Sequence, residues 1–284
     1  MTDALREKLV DAGRVLVSED QGDYVAGHVT LRLPGGDGRF LMKPAGIGLE
    51  EMTPDGIITV DREGERIDGT MPRHNEVFIH SEILRVRSDI AAVVHTHPPH
   101  AVAFSSLGRP LLPVGNDGSI FNDGVPVFSE TTDLIIDSAR GKAVAHCLGD
   151  RQALILRNHG IVTAGRSIEE AVWLALKLER ACRVLQLAEA AGGPKLLADG
   201  DDLRQKSRRA NRTDLHTNVF NYLVRRWKCR HCHQDEARGA DPSGHSSRAK
   251  EISAALTASG CSAITAWLER AITTTLTRSP NRSL

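Results

Sequence analysis

The sequence predicts a mixed α/β protein. Leu5, Leu9, Ala12 and Leu16 recur at helical spacing near the start, and Leu174, Leu178, Ala181 and Leu185 do so much later. Between these helices lie short alternating or apolar runs bounded by glycine and proline, which read as strands. One of the runs, Ile90-Ala-Ala-Val-Val94, leads straight into His95-Thr-His97-Pro-Pro-His100.

The elements follow in order. Residues 3–17 are expected to be an amphipathic helix with charges between its apolar positions. Gly22 to Gly27 is a turn, and His28-Val-Thr-Leu-Arg-Leu33 alternates like a half-buried strand. Gly35-Gly-Asp-Gly38 is a hairpin-type turn before a second strand, Arg39 to Lys43. Pro44-Ala-Gly46 turns the chain again, and Gly56 to Val60 is a third strand. Pro72 can open a helix that runs to about Arg87 and carries Glu76 and His80 on one face, four residues apart. Pro98 to Ala103 predicts a short helix, and Leu111–Val114 and Val125–Phe128 predict short extended pieces. Asp133 to Ala145 reads as a helix broken near Gly141. Ala153 to Arg157 is an apolar strand ending at Asn158-His159-Gly160. Ser167-Ile-Glu-Glu170 is a capping box whose helix runs to about Ala191, and Gly192-Gly-Pro194 stops it.

The chemistry gathers at the histidines. Side chains two apart on a strand share a face, so His95 and His97 bring two imidazoles to one point. Neutral imidazole is the commonest ligand for zinc and related divalent ions. His159 is the candidate third ligand. Three histidines with an open position describe a catalytic metal site more than a structural one. Three imidazoles suit zinc, and manganese, cobalt or iron can substitute according to availability. His100 is expected at the rim. Glu76 has a bland reading as a helix-start carboxylate favoured by the dipole. A carboxylate beside a bound cation would instead ligate it or move protons.

Bulk properties exclude other classes. The chain has 284 residues, 36 basic and 36 acidic, so no nucleic-acid partner held by bulk charge is expected. No apolar signal core opens the sequence and no long apolar run follows, which points to the cytosol, with the five cysteines as thiols. After Pro194 the character changes, and a boundary at residue 198 separates a catalytic domain from a polar, basic extension, partly helical or poorly ordered. Residues 225–284 carry ten Lys/Arg against five Asp/Glu. Val219 to Val224, Ile252 to Leu256 and Ile264 to Leu276 are its apolar runs. Cys229-Arg-His-Cys232-His233 has the spacing of c-type haem attachment, or of a zinc ligand pair. No export signal accompanies it and no second cluster follows, so a mobile basic segment is the expectation.

The constellation of Glu76 with His80, then Ala92-Val-Val-His95-Thr-His97-Pro98, then Leu156-Arg-Asn-His159-Gly160 and the following helix resembles the class II aldolase/adducin family. The resemblance spans roughly residues 5–195. It implies a three-layer α/β/α fold around a largely antiparallel sheet. It further implies one divalent metal on His95, His97 and His159, Glu76 as the catalytic carboxylate, and a homotetramer with sites near subunit interfaces; His80 is expected to support Glu76 or to transfer a proton with it. A C-terminal tyrosine, here Tyr222, would reach a neighbouring site. The shared step in the family is formation and protonation of a metal-stabilised enolate.

The departures set the substrate class. Sugar-phosphate members carry small hydroxyl and amide groups that cradle phosphate. Here the matching stretches read Gly27-His28, Lys43-Pro-Ala-Gly46 and Arg73-His74-Asn75-Glu76. Bulkier, basic groups stand there instead, and arginine suits a carboxylate. Arg73, His74, His28 and Gly46 are therefore the candidate substrate-binding residues. The chain looks most similar to the family's decarboxylases of 3,4-dihydroxyphthalate, which release protocatechuate. An aldolase or epimerase on a sugar phosphate is the alternative enzyme. A non-catalytic adducin-like scaffold is the alternative of another class, although such scaffolds typically lose the histidines kept here.

Overall fold

A computed structural model describes residues 2–194 and 197–238, with side chains through His231. The chain begins with α1 (Thr2–Ser18) and continues through β1 (His28–Arg32), β2 (Phe40–Met42), β3 (Ile58–Val60) and β4 (Arg66–Asp68). Next come α2 (Val77–Val86), β5 (Ala92–Thr96), α3 (Pro99–Ser105), α4 (Gly115–Ser119) and β6 (Val127–Phe128). Then follow α5 (Ser138–Leu148), β7 (Ala153–Leu156), β8 (Gly160–Gly165), α6 (Ile168–Ala190), α7 (Gly200–Ala210) and α8 (Thr213–Arg238). The strands form one sheet in the order β4-β3-β2-β1-β5-β8-β7-β6. Every described pairing is antiparallel except β6 with β7.

Helices cover both faces, which gives three layers. The alternation of strand side chains decides which residue meets which layer. Val29, Leu31, Ala92, Val94 and Ile161 pack with α1, α3 and α6. Val93, Leu154, Leu156 and Val162 point the other way and pack with Val77, Ile79 and Ile83 of α2 and Val144 of α5. By the same parity His28, Thr30 and His95 belong to the α2 face. His28 and His95 are register partners on adjacent strands.

Four sequence expectations change. The helix expected from Pro72 begins instead at Val77. The Pro72 carbonyl accepts the Ala45 N–H at 2.8 Å, which ties this stretch to the 44–46 turn. The helix expected over 133–145 starts at Ser138, where Asp137 caps it by accepting the Arg140 N–H. Gly141 does not break it. A Cβ there would lie 2.5 Å from the Phe78 carbonyl oxygen, so glycine lets α5 approach α2 closely. Leu111–Val114 forms no strand, and α4 and β4 appear where no helix or strand was expected. Finally, the strand before His159 ends at Leu156, so His159 sits in the turn between β7 and β8.

The compact unit runs through Arg230, beyond the boundary drawn at residue 198. Phe220 and Leu223 of α8 join the core beside Trp173 and Leu176 of α6. The side chains of Cys232 and His233, and the apolar runs 252–256 and 264–276, lie outside the described residues. No helix among the described residues is long and apolar enough to cross a membrane.

Candidate metal centre

The sheet delivers the histidines by antiparallel logic. β5 runs beside β8, so the C-terminal end of β5 adjoins the start of β8. His95 lies on β5, His97 just past its end, and His159 just before β8. Asn158 takes a left-handed φ of 55°, a conformation that asparagine tolerates better than most residues. Gly160 follows. A Cβ on it would come within 2.5 Å of the Thr96 carbonyl oxygen and 2.7 Å of the His97 ring. Only glycine lets the hairpin close onto the two β5 histidines.

One ligand atom each from Glu76, His95, His97 and His159 lies within 4.8 Å of the others. The His95 and His97 Nε2 atoms are 3.0 Å apart. Glu76 Oε2 is 3.7 Å from His95 Nε2, and Glu76 Oε1 is 3.7 Å from His159 Nε2. The Ile161 carbonyl can only accept, so His95 Nδ1, at 2.9 Å, donates to it. Asp23 Oδ2, at 2.9 Å, likewise accepts from His97 Nδ1. If both rings are neutral with Nδ1 protonated, their Nε2 lone pairs face each other across 3.0 Å. A bound cation resolves that confrontation, and the donor set of three imidazoles and a carboxylate suits a divalent ion.

Electrostatics favour the neutral form of His95 and His159. Burial, with the neighbouring His97 and His159, pushes His95 well below the usual imidazole range. Burial and His97 bring His159 down to about 4. Burial also raises the Glu76 carboxyl, against a 3.0 Å hydrogen bond from the Ile135 N–H.

His80 stands one layer back. Its Nε2 is 2.6 Å from His28 Nδ1 and its Nδ1 is 2.8 Å from Thr30 Oγ1. His28 in turn places Nε2 3.7 Å from Glu76 Oε2. His80 thus reaches Glu76 through His28, and burial lowers it to about 3.

The substrate-side residues divide. His74 sits against His28, with ring centroids 4.6 Å apart. Its Nε2 is 3.1 Å from Lys43 Nζ, and the Pro44 carbonyl accepts from its other nitrogen. Gly46 supplies the positive φ, 85°, of its turn. The Arg73 guanidinium instead engages Glu65 at 3.4 Å and lies over the Phe78 ring. His100 is on α3, paired with Gln186 through both its ring and its carbonyl.

Lys43 emerges as a site residue that periodicity did not single out. It is fully buried and donates to the Val25 carbonyl at 2.9 Å and to His74. No described hydrogen bond or ion pair joins it to a carboxylate, although Glu50 and Glu51 are near enough to favour its charge. Burial lowers it to about 8. The signal for it was a lysine directly after the apolar strand Phe40-Leu-Met42, since a charge is rarely buried without a partner.

The profile of the class II aldolase and adducin N-terminal domain matches residues 7–186. The chain belongs to this family. The family's aldolases and decarboxylases are lyases, and its class II aldolases use a divalent metal. The chain is 33% identical over 210 residues to a 3,4-dihydroxyphthalate decarboxylase of Arthrobacter keyseri, covering 69% of this chain and 84% of that protein. It is 32% identical over 198 residues to a 5-methylthioribulose-1-phosphate/5-deoxyribulose-1-phosphate aldolase of Rhodospirillum rubrum, covering 66% and 84%. For two further relatives, from Streptomyces, the match spans 62% and 65% of their own length. Among solved structures, an L-fuculose 1-phosphate aldolase of Glaciozyma antarctica superimposes with a TM-score of 0.72 at 29% identity, covering 81% of this chain and 91% of that one. The class II aldolase fold is therefore that of this protein.

Proposed function

We propose that this protein is a metal-dependent carbon–carbon lyase that decarboxylates a hydroxylated aromatic dicarboxylate, with 3,4-dihydroxyphthalate giving protocatechuate as the leading reaction. The observation that carries an anionic substrate in this reading is the buried Lys43 ammonium beside the histidine cluster, and the 33% identity to a 3,4-dihydroxyphthalate decarboxylase favours a carboxylate. Lys43 spends two donors on Val25 and His74 and keeps a third. A fixed cation in a dry site is a receptor for an anionic substrate group. In this reading Lys43 takes the anchoring place first expected of Arg73.

His95, His97 and His159 would hold the divalent ion, zinc by its donor set. When bound, it supplies Lewis-acid stabilisation of charge developing on substrate oxygen. Glu76 holds or moves the proton. Its raised carboxyl is suited to deliver a proton to the ring carbon that carbon dioxide leaves. His28, braced by His80 and Thr30, faces the same oxygen of Glu76 that approaches His95. His80 is accordingly a positioning residue. We extend the proposal to a cytoplasmic homotetramer, as the family resemblance implies, in which Tyr222, half exposed on α8, reaches a neighbouring site.

A second reading is an aldolase or epimerase on a sugar phosphate. It is favoured by the fuculose-phosphate aldolase likeness, and lysine binds phosphate as well as carboxylate. The deciding experiment supplies the purified metallated protein with 3,4-dihydroxyphthalate and, in parallel, with fuculose and ribulose phosphates. Release of carbon dioxide and protocatechuate is expected. Turnover of a sugar phosphate alone would establish the second reading. A protein that binds no metal and turns over neither would be the scaffold.

A further inference from the structure

The ligand histidines are held in place by different means. His95 is fully buried, and a backbone carbonyl, that of Ile161, fixes its ring. His97 lies beyond the end of its strand and is 17% exposed in its side chain. Its ring is fixed by a side chain from elsewhere in the sequence, Asp23, at 2.9 Å. We propose that Asp23 is a positioning residue of the metal centre, setting both the orientation and the tautomer of His97. This rests on the reading of the histidine cluster as a metal site.

The chemistry is specific. A carboxylate can only accept, so it keeps the His97 proton on Nδ1 and leaves the Nε2 lone pair facing His95. Without that acceptor the ring is free to turn, and the proton is free to move to the nitrogen that must ligate. Partners of this kind fix ring orientation and raise ligand basicity in metal sites generally.

Asp23 is also well placed to act as a fixed point. Its carbonyl accepts the Ala26 N–H at 2.8 Å, which closes a tight turn. The chain just before it is anchored by Gln21, whose amide donates to the Ala175 carbonyl of α6 at 2.8 Å. The Gln21 side-chain oxygen accepts from Thr96 Oγ1 at 2.7 Å, so Gln21 also grips the residue between His95 and His97. On its other side the turn offers the Val25 carbonyl to Lys43. Tyr24, between these two anchors, is held at a φ of 47°, with its side chain in solvent at 91% exposure. A single short turn thereby ties the metal end of the site to its cationic end.

The test measures zinc affinity by competition with a chromogenic chelator, together with the melting temperature of the metal-free protein. Wild type is compared with Asp23→Ala, Asp23→Asn and Tyr24→Ala. Loss of such a partner costs about 10- to 100-fold in metal affinity. Asp23→Ala should show a loss of that size, with an unchanged melting temperature for the metal-free protein. Asp23→Asn, which retains an accepting oxygen, should recover part of it, and Tyr24→Ala should bind zinc as wild type does. Unchanged zinc affinity in Asp23→Ala would overturn the assignment. So would an equal loss in Tyr24→Ala, which would make the effect one of turn folding. A wild type that takes up no zinc would instead bring down the metal reading itself, and this inference with it.

Discussion

On the sheet face covered by α1, α3 and α6, β1 and β5 present Val29, Leu31, Ala92 and Val94 to a continuous apolar core. On the opposite face the same two strands present His28, Thr30 and His95, with Val93 between them. The backbone register is shared, so the contrast comes from side-chain chemistry alone. The apolar face gains stability from every residue it buries. The α2 face gives some of that up, because its imidazoles must stay neutral and paired in a dry site. On the second face, burial shifts protonation instead of only adding stability. It raises the Glu76 carboxyl and holds His159 in its neutral form.

The sharpest way to break this contrast is a pair of substitutions, one on each face. Glu76→Gln should lower kcat by about 10²- to 10⁴-fold, the range for losing a positioned acid or base. It should leave the melting temperature near wild type or above it, since it removes a buried ionisable group. Leu9→Ala, at a fully buried position of α1, should do the reverse. It should cost about 2–5 kcal/mol of stability while specific activity at low temperature is retained. Denaturant titration and steady-state kinetics on both variants check this. Equal effects of both variants on both readouts would mean that the two faces are not functionally separate.

A smaller effect should appear with pH. The folded-state values of His80, at about 3, and of His74 and His159, at about 4, lie below the ordinary 6.5. Between about 6.5 and 4 the unfolded chain therefore binds more protons than the folded one, so acid favours unfolding. The metal-free protein should keep its full stability from these groups above pH 6.5 and lose it progressively below. Melting temperatures from pH 7.5 to 4.5 test this. Substituting His80 with leucine should flatten the curve, and an identical slope would contradict the assignment of His80 as a buried neutral group.

The sequence made the ligand strand legible because two independent signals coincided there: an apolar run, and histidines two apart. Glu76 was legible from its place before that strand, and Lys43 left only a faint trace. Asp23 left none, since it lies 74 residues from His97 and only the fold brings them together. α7 was missed for a related reason. Ser207 is its one buried residue, so there was no apolar period to read. Gly141 misled in the opposite direction, because its meaning lay in the neighbouring helix and not in its own. Local pattern reports which face a residue occupies. It does not report what arrives from the other end of the chain.

The most direct test of the central claim is the metal content of the purified wild type beside that of His97→Ala, measured by elemental analysis after dialysis against zinc. The convergence of His95, His97, His159 and Glu76 predicts one zinc per chain in the wild type and almost none in the variant. A wild type without metal, or a variant that retains it, would contradict the account.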